Sequence, residues 1–219
     1  MNGVLQPTLQ AIDWLILQFA MDALGNHSLQ ERIAESVELD EDHLLMERLK
    51  ADDRSALDQI FEKWKRPMIS FFHRSLNDYH LAEDLTLKVA LKVYQSRERY
   101  KPRAKFSTWL FSIAHNLLKD EFRRRRSRPP NSSDIFNPEW DYPEIEDASH
   151  TGNIHLWEEW LQHALEQLPE TEREAVLLIT QQGLKPGEAA EIMKITPNHL
   201  RVILSKGRKQ LRKLRESEQ

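Results

Sequence analysis

Apolar residues return every three or four positions along almost the whole of this 219-residue chain, and the rhythm breaks at length only across residues 128–155. That spacing puts side chains on one face of an α-helix, whereas a strand needs alternation by two, and no such alternation is found. Leu57, Phe61, Trp64, Met68 and Phe71 form one stripe, with Pro67 expected to kink that helix or to mark a junction of two. Leu81, Leu85, Val89 and Val93 face inward from a second helix between His80 and Ser96. A third follows an irregular basic loop, Arg97 to Lys105. Ser107 or Thr108 is expected to cap it, and Leu110, Ile113, Ala114 and Leu117 form its apolar face. It ends in Arg123 to Arg126, where cations complement the helix dipole.

Residues 128–155 hold Pro129, Pro130, Pro138 and Pro143 with six acids, and they read as an extended, flexible acidic linker. Helical spacing resumes at Trp157, Leu161, Leu165 and Leu168, and then at Val176, Leu177 and Ile179. Beyond Gly183-Leu184 a short helix opens at Pro186 and buries Ala189, Ala190 and Ile192. A longer basic helix opens with Thr196-Pro197, a cap followed by the residue best tolerated at the first helical position, and buries Leu200, Leu204 and Leu211. Short helix, tight turn and longer basic helix make a helix-turn-helix. The expected fold is all-α. Two small helical domains, 41–127 and 156–219, are joined by the linker at 128–155 and preceded by a helical extension over residues 1–40.

Composition narrows the function. Cysteine is absent, which removes disulfides, Cys-rich zinc sites and thiol catalysis, and fits a reducing cytoplasm. The longest apolar run, Trp14 to Met21, is far short of the ~20 residues of a membrane span. No basic lead-in precedes it, so a soluble cytoplasmic protein without membrane insertion is expected. Neither His-x-Glu, His-Glu-x-x-His, a P-loop nor a Gly-rich dinucleotide motif occurs, so no catalytic group, metal or cofactor is expected. Net charge, −4, hides a segregation. Residues 1–49 hold nine acids and two Arg, 97–128 hold eleven Lys/Arg and three acids, and 194–215 hold eight Lys/Arg and no acid. Two separated basic blocks suit two contacts with one polyanion, although a solvated basic face has the same composition.

Two stretches carry a family resemblance. Ala82-Glu83-Asp84-Leu85-Thr86, Phe106 through Asn116, and Asp120-Glu121-Phe122-Arg123-Arg124 are similar to the sigma-two domain of extracytoplasmic-function sigma factors. Leu165, Leu168-Pro169, Arg173-Glu174, Gly183-Leu184, Glu188 to Ile192 and Arg208 to Leu211 resemble the sigma-four domain. The ordered pair covers roughly 42–126 and 156–215. It implies a subunit that binds core RNA polymerase and promoter DNA to direct transcription initiation, with an anti-sigma factor or other regulatory protein as a candidate partner. The competing reading is a helix-turn-helix regulator that keeps this architecture without melting promoters.

The resemblance implies that the basic loop and third helix meet the −10 element. Arg99, Lys101, Arg103 and Lys105 would hold a strand there, Phe106 and Trp109 would stack on bases or belong to the core, and Asn116, Lys119, Arg123 and Arg124 would follow along the helix. On the C-terminal helix, Asn198, His199 and Arg201 would reach base edges of the −35 element, and Lys206, Arg208 and Lys209 its phosphates. Val202 and Ile203 could touch thymine methyls. Asp84, Leu87, Lys88 and Leu91 would face the polymerase clamp, and Thr86 is a candidate phosphorylation site beside Lys88. The family usually carries Gln, an acid and Phe where this chain has Leu87, Lys88 and Ala90. A Gly-Thr and a Ser-Arg pair are replaced by Asn198-His199 and Val202-Ile203. In the extension, Leu5, Leu9, Ile12 and Phe19 form an amphipathic face that extends the first domain, masks a basic surface or docks a partner.

Overall fold

The structure is a computed structural model, and it describes residues 41–102, 104–127 and 151–217, with side chains from residue 158 onward in the last stretch. The expectations for residues 1–40 and for 128–150 lie outside the described residues. Everything described is helix, turn or loop. In order come α1 (residues 41–50), α2 (Ser55–Leu76), α3 (Tyr79–Ser96), a 3-10 turn (Arg97–Arg99) and α4 (Phe106–Ser127). After the gap come α5 (Thr151–Glu166), α6 (Glu170–Thr180), α7 (Pro186–Met193) and α8 (Pro197–Ser217).

The first half is a bundle in which α2 packs along α3, and α4 lies across both. Asp78 caps α3 by accepting a hydrogen bond from the Leu81 amide at 2.9 Å, a contact worth about 1 kcal/mol. The preceding Asn77 closes α2 in the left-handed region at φ 51°, which Asn tolerates better than most residues. Phe71, Phe72, Phe106 and Phe111 fill the centre, with Phe71 and Phe111 edge to face at 5.4 Å. Leu45, Met46 and Leu49 of α1 close one end, where Lys63 reaches Asp42 and Glu41 at 3.0 and 3.2 Å.

The local expectations are met in outline and corrected in detail. Pro67 neither ends nor divides α2, which runs unbroken through it. The buried stripe at the start of α2 is Ala56 and Ile60, while Leu57 and Trp64 are only half-buried. Neither Ser107 nor Thr108 caps α4. The helix begins at Phe106, so both sit in its first turn, and the Trp109 amide already donates to the Lys105 carbonyl at 3.3 Å. Helix α5 takes in residues 151–155, the end of the stretch read as linker.

In the second half, α6 and α7 pack on α8. Lys194 ends α7 in the left-handed region at φ 56°, making the tight turn of the helix-turn-helix. Thr196 then caps α8, its Oγ1 accepting from the His199 amide at 3.2 Å. Gly207 allows α8 to lie close on α6, because a Cβ there would meet the Val176 side chain at 3.2 Å.

The halves are packed against each other, α4 on α7 and α2 on α6 and α5. Their buried apolar residues belong to one cluster.

Candidate nucleic-acid interface

Helix α4 turns a polar face outward on which Asn116, Lys119 and Arg123 stand at i, i+3 and i+7, all exposed. Arg124 is exposed beside them and is held by Glu121, to which its Nε and Nη2 each donate at 2.6 Å. Arg125 Nε donates to the same carboxylate at 3.2 Å. Burial pushes the Glu121 pKa up, but these hydrogen bonds outweigh it and hold the carboxyl below its ordinary range. In the loop before α4, Arg99 and Lys101 are exposed and Lys105 is half-buried; Arg103 lies outside the described residues.

The aromatic expectations divide. Phe106 is 1% exposed, against Trp64 at 5.9 Å and Trp109 at 5.6 Å between ring centroids. It is core, and the stacking role read for it is corrected. Trp109 is half-buried, edge-on to buried Tyr100 at 4.7 Å, and keeps part of its ring at the surface beside the basic loop. Tyr100 is a lid on the core whose hydroxyl meets His43 Nδ1 at 2.6 Å, and burial raises its pKa.

Helix α8 presents Asn198, His199, Arg201, Val202, Lys206 and Lys209, all exposed. Arg201 Nη1 donates to Asn198 Oδ1 at 3.0 Å, which steadies the guanidinium over the first turn. Two expectations are corrected. Ile203 is 7% exposed and points into the domain core. Arg208 is half-buried, so it does not belong to the exposed set with Lys206 and Lys209.

Helix α3 carries a third surface. Asp84, Leu87, Lys88 and Leu91 are exposed on one face at i, i+3, i+4 and i+7. Leu87 and Leu91 are two of the few large apolar side chains left in solvent among the described residues. Thr86 points the other way. Only 2% exposed, it donates its Oγ1 proton to the Ala82 carbonyl at 2.8 Å, so a kinase has no access and the phosphorylation reading is corrected.

A set of polar residues that the sequence did not single out for this purpose joins the halves. His115 Nδ1 and Glu174 Oε1 lie 2.6 Å apart in a buried contact. Arg173 donates to the Ser75 carbonyl at 2.5 Å, and to the Glu166 and Leu168 carbonyls of its own half. Gln181 donates to Ser70, Arg126 pairs with Glu170 at 3.4 Å, and Lys105 lies 3.7 Å from Glu188. Lys194, in the helix-turn-helix turn, donates to Asn116 Oδ1 at 3.1 Å. The only hint in the sequence was that polar His115 and Glu174 fall on otherwise inward-facing helix positions.

No group of three or more His, Cys, Asp or Glu able to hold a metal occurs among the described residues. No helix of the described residues is long and apolar enough to cross a membrane.

Comparison with known proteins agrees with this arrangement. The Sigma-70 region 2 model matches residues 60–128, and the Sigma-70, region 4 model matches residues 158–211. The RNA polymerase sigma factor CarQ of Myxococcus xanthus is 32% identical over 171 residues, covering 77% of this chain and 94% of CarQ. The ECF RNA polymerase sigma factor SigM of Bacillus subtilis is 27% identical over 158 residues, covering 72% and 94%. Among solved structures, CnrH in complex with the cytosolic domain of CnrY superposes with a TM-score of 0.63 at 16% identity, over 82% of this chain and 99% of that one. RpoE of Bartonella quintana, solved with the anti-sigma factor NepR, gives 0.59 at 20% identity, over 74% and 98%. The chain belongs to the sigma-70 family, as an extracytoplasmic-function sigma factor, a subunit that binds RNA polymerase and promoter DNA to direct the start of transcription.

Proposed function

We propose that this sigma factor works by binding alone, in the cytoplasm, through three surfaces on separate helices. The α3 face of Asp84, Leu87, Lys88 and Leu91 meets the polymerase. The loop at Arg99 and Lys101 with the outer face of α4 holds the −10 element, and the start of α8 reads the −35 element. The observation that carries this reading is that each half of the chain has its own exposed cationic face, on α4 and on α8. Phosphate neutralisation at two sites suits one long duplex.

The packed arrangement is then a resting form. Elements named for positions −10 and −35 lie roughly 25 base pairs apart, on the order of 85 Å along B-DNA. Here Asn116 of α4 is bonded to Lys194 beside α8. Both surfaces reach their elements only when the halves part, and a regulatory protein that grips the packed form would keep the factor off promoters. CnrH was solved in complex with the cytosolic domain of CnrY, and RpoE with the anti-sigma factor NepR.

Two modest contacts joined by one chain reinforce each other through effective concentration, by 10²–10⁴ where the geometry allows both. Polymerase holoenzyme with the intact chain should therefore bind promoter DNA about a hundredfold more tightly than holoenzyme with residues 1–127 alone. Equal affinity would contradict the two-surface reading.

A further inference from the structure

Val202 is 51% exposed on the face of α8 that the proposed function turns toward DNA. Neither packing nor helix propensity explains a valine there. Its neighbour Ile203 takes the buried position, and a β-branched residue on an exposed helix face is a poorer helix former than Ala, Lys, Gln or Arg. Among the described residues few large apolar side chains are this exposed, and two of them, Leu87 and Leu91, lie on the surface assigned to polymerase.

The surroundings say what Val202 could meet. It lies one turn after Asn198 and directly after Arg201, within the first two turns of the helix, where a helix-turn-helix reaches base edges. Asn198 and Ser205 flank it along the same stripe. Both are short, and the longer His199 and Lys206 on its other side end in polar groups that can swing to base edges and phosphates, so the stiff isopropyl group can touch what lies beneath. Base edges in the major groove offer hydrogen-bonding groups and one methyl, the 5-methyl of thymine.

We propose that Val202 is a specificity-determining residue that reads one thymine of the −35 element through its 5-methyl group, next to the base pair read by Arg201. The inference rests on α8 being the −35 reader. Exchange of thymine for uracil tests it, since that removes the methyl and leaves every hydrogen-bonding group in place.

Preferred −35 sites are first selected from a randomised library with wild-type holoenzyme, then remade with deoxyuridine at one thymine at a time. At one position the exchange should weaken wild-type holoenzyme 3- to 10-fold. It should change binding by Val202→Ala holoenzyme less than 1.5-fold, while Val202→Ala on the unmodified site matches wild type on the uracil site. The inference is overturned if no single exchange weakens wild type, if the selected element has no thymine, or if wild type and Val202→Ala lose equally. Arg201→Ala in the same library separates the two levels. Should it leave every base preference intact, α8 is not the reader and the proposed function fails at this site. Should it relax a base while uracil exchange does nothing, only the role of Val202 is wrong.

Discussion

His115 on α4 and Glu174 on α6, 59 positions apart in sequence, meet at 2.6 Å inside the contact between the two halves of the chain. Each side chain is less than a tenth exposed. Around this pair, Arg173, Gln181, Lys194 and Arg126 reach across to Ser75, Ser70, Asn116 and Glu170. The halves of this sigma factor are therefore fastened by directed polar contacts as well as by apolar burial. Such contacts fix one arrangement, and they are lost together when water enters.

Glu174→Ala leaves a buried imidazole without its partner, at a cost of about 1–3 kcal/mol. Thermal unfolding should show that loss, and the cycle with His115→Ala should show a coupling of about 0.5–3 kcal/mol. In small-angle scattering Glu174→Ala combined with Arg173→Ala should have a larger radius of gyration than wild type. An unchanged radius with zero coupling would mean that the pair does not fasten the halves.

Leu87 and Leu91 leave apolar surface in water on a helix that has an ample buried face. Leu87→Asp and Leu91→Asp should each weaken core polymerase binding by about 2 kcal/mol, the scale of an interface hot spot, and leave Tm nearly unchanged because both side chains are already solvated. Fluorescence titration of labelled protein with core polymerase reads the first effect, and calorimetry the second.

Arg201→Ala should relax base preference at one or two promoter positions, costing about 1–3 kcal/mol on the preferred site. Lys209→Ala should weaken all sequences alike and reduce the salt slope. A site-library assay at two salt concentrations distinguishes them, and identical profiles for the two variants would refute the division of labour along α8.

Much of this was legible in the sequence, because helical spacing and capping chemistry are local. Thr196 and Pro197 stand where a helix must begin, and the structure begins α8 there, whereas the Asp78 cap that starts α3 one residue before the expected His80 was not read from the sequence. Single positions were harder. Thr86 and Lys88 are two residues apart, and a helix turns roughly 200° between them, so one is core and the other surface. Phe106 has the composition of a stacking residue among cations, yet it opens α4 facing inward. Ala56 and Ile60 take the buried side of α2 because large residues alone do not define a stripe; a small one next to a partner helix is buried as completely. The inward-facing positions of His115 and Glu174 hinted that each is buried, but their pairing had no local signature, since tertiary packing alone brings the two residues together.

Glu121 should give the first domain an acid limit. Its folded pKa lies below the ordinary 4.5 because the hydrogen bonds from Arg124 and Arg125 outweigh its burial. A depressed carboxyl contributes stability that is fully present above its unfolded pKa and is lost as pH falls through the folded value. Tm of the wild type should therefore fall on acidification below about pH 5 more steeply than Tm of Glu121→Gln, which should be the less stable variant at pH 7. Parallel curves would show that other carboxylates set the limit.

Run-off transcription with purified core polymerase, this chain and fragmented genomic DNA tests the central claim most directly. Discrete transcripts should appear that core polymerase alone does not make, each starting at a fixed distance from a shared pair of upstream elements. Arg201→Ala should alter which promoters are used, and Leu87→Asp with Leu91→Asp should abolish all of them together. Transcription indistinguishable from that of core polymerase alone, in the face of tight binding to the same DNA, would contradict the account and leave a DNA-binding protein that does not initiate.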